Sequence, residues 1–192
     1  MNNHAESLHT SEWAKTRFPK CVVNAAASRL GMSLVALGLL LAVPCARAGG
    51  TVSTADSDFI LAVAQGGMTE VKLGELASQR ATRDDVKAFG QMMVKDHTTI
   101  NGDLKALAAQ KGVTLPDSLD AKHQRMVDKM AALTGTEFDD AYVAGMAKGH
   151  KKDAKAFKAE SAATQDADIK AFVDKTILVV DRHLKLITGM KK

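Results

Sequence analysis

Beyond residue 55 the apolar residues of this chain recur every three or four positions, and nowhere do they alternate with polar ones long enough to make a strand. A chain patterned in this way buries one stripe per helix, which fixes the fold class as all-α. Asp56 to Arg80 carries Phe59, Ala62, Gly66, Leu73 and Ala77. A second helix, from Thr82 to about Lys111, carries Val86, Phe89, Met93, Ile100, Leu104 and Leu107 and stops at Gly112 and Pro116. Thr82 followed by Asp85 resembles a capping box at its start.

A shorter helix from about Ser118 to Leu133 shows Leu119, Met126, Met130 and Leu133. Thr136 opens the next long helix, with Phe138, Tyr142, Met146 and Phe157 on its stripe. The last runs from about Asp166 to Thr188 through Ile169, Phe172, Thr176, Val180 and Ile187. Tight turns near residues 81 and 165 make two antiparallel hairpins, and the longer connection over 112–135 can cross the bundle from end to end. The expected architecture is a ferritin-like four-helix bundle with a short extra helix in the crossover connection.

The first quarter of the chain reads differently. Scattered basic residues precede an apolar run from Met32 to Val43, then Pro44-Cys45, Ala46-Arg47-Ala48 and Gly49-Gly50. That order is the basic region, apolar region and Ala-x-Ala cleavage site of a secretory leader, too short to span a bilayer comfortably. Residues 1–48 are therefore expected to be a leader, 49–55 a short linker and 56–190 the bundle domain of an exported periplasmic or envelope protein.

Both cysteines, Cys21 and Cys45, fall in the leader, which removes thiolate chemistry and disulfides from the remainder. So do five basic residues against two acids, which reduces the formal charge from +4 to 21 − 20 = +1. Too little positive charge remains for a nucleic-acid partner. The lysines at 148, 151, 152, 155 and 158 read as a solvated helix face.

A bundle core normally excludes ionisable groups, so the stripes' interruptions are informative. Glu70 lies between Gly66 and Leu73, His97 between Met93 and Ile100, His150 between Met146 and Phe157, and His183 between Val180 and Ile187. Each projects toward the expected core. At roughly 1.5 Å per residue, His97, His150 and His183 stand about 16, 15.5 and 17.5 residues from their turns, level to within about one helical turn. Glu70 stands about 11 residues from its turn, roughly 7 Å off that level.

Three imidazoles and a carboxylate form a plausible site for one divalent ion, zinc, copper or iron. The alternative is a set of hydrogen-bonded core residues. Asp96 and Asp153 are placed to orient a ligand's second nitrogen or to sit in solvent. Tyr142 is either a donor near the site or a core residue. His123, on the connecting helix, reads as packing or capping.

Phe59 to Gly74, Met93-Val94-Lys95-Asp96-His97, Gly135 to Tyr142 and the late His150 and His183 together resemble an exported bacterial domain-of-unknown-function family numbered 4142, often labelled outer-membrane proteins. The resemblance covers about residues 56–188 and implies a ferritin-like bundle in the periplasm or envelope, with no established activity. A barrel is excluded by the missing strand alternation. Ferritin-like di-iron enzymes place Glu-x-x-His on two helices. Here Val94 and Val180 precede His97 and His183 by three, so a di-iron centre is disfavoured.

Three functions compete. The first is a metal-binding bundle using Glu70, His97, His150 and His183. The second is a non-enzymatic envelope stress or interaction protein with a structural polar core and an envelope partner. The third, a small metalloenzyme, ranks last because no substrate pocket is legible. No transmembrane span is expected after the leader, and monomer and homodimer fit equally.

Overall fold

The computed structural model describes residues 52–190. The expected leader and the first residues of the expected linker lie outside the described residues. Five helices follow one another: α1 Thr54–Arg80, α2 Asp84–Lys111, α3 Ala121–Ala131, α4 Gly135–Ala163 and α5 Ala167–Thr188. No strand occurs among the described residues. None of their helices is long and apolar enough to cross a membrane.

Local chemistry sets the ends of these helices. Ser53 Oγ accepts from the Asp56 amide at 3.0 Å and opens α1. Asp120 accepts from the His123 amide at 2.8 Å and opens α3. Asp166 accepts from the amides of Asp168 and Ile169 and opens α5. Gly112, at φ 70°, closes α2 in a left-handed conformation that a side chain would strain.

The start of α2 departs from the expected capping box. Its N-cap is Arg83, which makes no side-chain cap, and Asp85 instead pairs with the Arg83 guanidinium. The cap comes from another helix. Buried Asp139 of α4 accepts from the amides of Thr82 and Arg83 at 3.0–3.1 Å and from the Thr82 hydroxyl.

Three-residue connections, Ala81–Arg83 and Thr164–Asp166, fold α1 back on α2 and α4 back on α5. The first pairing is unusually close at one level. A Cβ on Gly90 would stand 2.8 Å from both the Gly74 carbonyl oxygen and the Ala77 Cβ, so the two backbones touch where both lack side chains. The hairpins meet along α1 with α4 and α2 with α5, and α3 packs on α1 and α4.

The apolar core has two lobes. One gathers Leu73, Phe89, Met93, Phe138, Tyr142, Met146 and Ile187 toward the α1–α2 turn. The other gathers Ile60, Ile100, Leu104, Phe157, Ile169 and Phe172. His97, in sequence between Met93 of the first lobe and Ile100 of the second, marks the level at which they part.

The expected stripes of α2, α4 and α5 are buried. In the first half of α1 the buried positions are Asp56, Ile60, Ala64 and Gly67, one or two positions on from the expected Phe59, Ala62 and Gly66. In α3 the buried residue is Val127, while Met126 faces outward. In both helices tertiary contact rather than the apolar pattern decides the rotation.

Candidate metal centre

Each long helix contributes one polar residue to the level between the lobes. With the first turn's midpoint at Thr82, Glu70 and His97 lie 12 and 15 residues away. About the second turn's midpoint, Gln165, His150 and His183 lie 15 and 18 residues away. The offset expected for Glu70 thus shrinks to three residues. Its side chain spans the rest: Oε2 is 2.9 Å from His97 Nδ1 and Oε1 is 3.7 Å from His150 Nε2.

The three histidines are buried. Their ring centroids are 5.9 Å apart for His97 and His150 and 5.4 Å apart for each of these with His183. One nitrogen of each lies within 4.8 Å of those of the other two, a set able to hold a metal ion. Phe89 closes one side, its ring 6.4 Å from His150 and 6.0 Å from His183.

The far nitrogen of each ring is engaged. His97 Nδ1 faces Glu70 Oε2 at 2.9 Å, His150 Nδ1 donates to the Met146 carbonyl at 3.0 Å, and His183 Nε2 to Asp96 Oδ2 at 2.9 Å. Asp96 is held in turn by Arg182. Those contacts assign the tautomers, and they leave His97 Nε2, His150 Nε2 and His183 Nδ1 buried without a hydrogen-bond partner. An unpaired polar atom in a core is costly, and three in one cluster call for an explanation.

Protonation follows burial and charge. Burial pushes His183 down to about 4 against the pull of Asp96, with His97 and His150 nearby adding to the effect. Burial also lowers His150, against the opposing charge of Glu70. At His97 burial disfavours the cation, but the Glu70 carboxylate outweighs it and the value rises. Glu70, which burial alone would raise, is lowered by His97. Two of the three imidazoles are therefore held neutral, the state in which imidazole ligates a metal.

Of the remaining expected residues, only Asp96 touches the histidine cluster. Asp96 orients His183 across the α2–α5 interface rather than its sequence neighbour His97. Asp153 faces a cavity beside Glu70 and His97, where burial, then the Glu70 charge, pushes its carboxyl up to about 7. Tyr142 stacks on Phe138 with centroids 5.9 Å apart, its hydroxyl buried without a partner and, through burial and Glu70, strongly resistant to ionisation. His123 Nδ1 lies 2.9 Å from Asp120 Oδ1, but the cap on α3 is Asp120 itself, through the His123 backbone amide.

Sequence reasoning missed Arg182, whose side chain reaches Asp96 on α2, 86 positions back along the chain. No local signal in the sequence marks that pairing.

Fold and site together define an all-helical bundle protein with a buried histidine triad. The chain belongs to the family described as Domain of unknown function (DUF4142), whose model matches residues 42–190. Comparison with curated proteins and with solved structures finds no match.

Proposed function

We propose that this chain is an exported protein of the periplasm or cell envelope that binds one divalent metal ion at His97, His150 and His183, with Glu70 as the site's carboxylate. Its helices are read as a ferritin-like four-helix bundle in which α3 sits on the crossover connection. The observation that carries the metal reading is the set of three unpartnered ring nitrogens, each on an imidazole whose other nitrogen lies within 3.0 Å of an oxygen. Carboxylate or carbonyl behind imidazole is the support that metal-ligating histidines usually have.

Tetrahedral ligands at 2.0–2.1 Å from zinc lie about 3.3 Å apart. One nitrogen from each histidine lies within 4.8 Å of the others, so closing on an ion needs the rings to draw together. Three imidazoles and one carboxylate suit zinc, copper or iron, and the donor count favours one ion over two.

A second reading has its own observation. The Glu70–His97 ion-pair contact and the Asp96–His183 hydrogen bond hold the layer together without an ion, as a structural polar network would. Titrating chelator-stripped protein with zinc and with cobalt(II), while following thermal unfolding, separates the two. The metal reading expects saturation at one equivalent, a higher Tm with the ion, and loss of both in His150→Ala. A Tm that drops in His150→Ala but never responds to an ion would establish the structural network instead.

A further inference from the structure

Facing surfaces of α1 and α4 carry small residues, Ala62 and Gly66 on α1 and Ala156 on α4. A cavity of about 240 Å³ lies among them. A Cβ on Gly66 would meet no atom within 4 Å, so the space reaches the α1 backbone itself. Phe59, Val63, Ile100 and Phe157 form apolar walls, and the Phe59 and Phe157 rings meet edge to face at 5.2 Å. Glu70 and His97 line the buried end, the half-buried Asp153 and His123 also line the space, and the exposed Lys122 and Lys152 line the outer end.

Size and charge together select an occupant. An apolar cavity of about 150 Å³ is enough for benzene, so this one takes a single ring bearing a small head group. Glu70 keeps 16% exposure where His97 keeps 4%, and its Oε1, 3.7 Å from His150 Nε2, is beyond hydrogen-bond length and retains acceptor capacity. A carboxylate at that end places an anionic head group at a disadvantage. A cation would be drawn by Glu70 and Asp153 but would have to pass the two exposed lysines and shed its hydration against apolar walls.

We infer that the cavity binds a small neutral molecule of one-ring size, a phenol or comparable alcohol, with its body against Phe59, Val63 and Phe157 and its hydroxyl donating to Glu70. In stripped protein the site needs only the apolar walls and the Glu70 oxygen and does not rest on the metal reading, and because Glu70 is also the metal site's carboxylate, one equivalent of zinc is expected to weaken phenol rather than strengthen it.

The test is calorimetric titration of the purified protein, chelator-stripped and again with one equivalent of zinc, using phenol, toluene, benzoate and benzylamine as probes. Phenol is expected to bind one to one to the stripped protein, with toluene, which lacks the donor, about tenfold weaker. Benzoate and benzylamine are expected to bind about tenfold weaker still or not at all, because one meets the carboxylate and the other must shed its hydration. Gly66→Leu fills the space, and Ala156→Leu, at an exposed position, does so with less risk to folding. Each is expected to weaken phenol at least about tenfold while helical circular dichroism is kept.

Absence of phenol binding to the stripped protein, binding of benzoate or benzylamine as tight as that of phenol, or phenol affinity unchanged in a folded Gly66→Leu or Ala156→Leu variant would overturn the assignment. Zinc stoichiometry is read in the same preparations, so failure of the cavity and failure of the metal site are scored separately.

Discussion

His183 belongs to α5, yet the group that sets its tautomer, Asp96, belongs to α2 and is itself gripped by Arg182. If that chain of contacts holds the imidazole for an ion, Asp96→Ala should weaken metal affinity about 10- to 100-fold without removing a ligand. Competition against a chromophoric chelator checks this, and unchanged affinity would leave Asp96 as a surface partner of Arg182 alone. A second residue-scale effect lies away from the histidines, where Glu160 of α4 faces Asp56 near the start of α1. Burial, then Asp56, pushes Glu160 up to about 7. Burial opposes ionisation of Asp56 as well, but its bonds to Ser53 and Thr164 win and hold it below the usual range. Because Glu160 binds its proton more tightly folded than unfolded, its contribution is complete below its ordinary value of 4.5 and is lost as pH rises toward about 7. Urea midpoints across that window should therefore fall more steeply for the native chain than for Glu160→Gln, and parallel curves would contradict the assignment.

Among the helices, the closest contact is the approach of α1 to α2 at Gly74 and Gly90. A methyl group on Gly90 meets backbone and Cβ atoms, not the flexible end of a side chain, so Gly90→Ala should cost about 1–3 kcal/mol of stability. Gly102, on the same helix, has open space where its Cβ would go. Gly102→Ala should gain about 0.5–1 kcal/mol from helix propensity. Opposite shifts in the two urea midpoints check the pair, and a matching sign would refute the close-approach argument. Asp139→Ala should cost about 2–3 kcal/mol, since it strands the Thr82 and Arg83 amides at the first turn. The helices were legible in the sequence because apolar residues at 3.6-residue spacing can be read locally. The cap on α2 was not, because its acceptor lies 57 positions away from Thr82. Nor was the rotation of α1, where Phe59, Ala62 and Gly66 looked like a core stripe and instead line a cavity.

Over the whole molecule, a layer of histidines divides the apolar core between the two lobes, and this layer was the most legible part of the site. His97, His150 and His183 each interrupt an otherwise apolar stripe, and equal rise per residue converts their distances from the turns into depth. Glu70 was harder to place, since a shift in the turn's midpoint and the reach of its side chain both count. The cavity had no sequence signature, because it arises from small residues on two helices that meet only in the fold. A filled site would bind the native state alone, so about a hundredfold excess of ion over its Kd should add about 2.7 kcal/mol to stability. The central claim is most directly tested by elemental analysis of protein purified without an affinity tag, beside a His97→Ala/His183→Ala variant. The account predicts one equivalent of zinc, copper or iron in the native protein and none in the variant. Metal absent from both, or equally present in both, would contradict it.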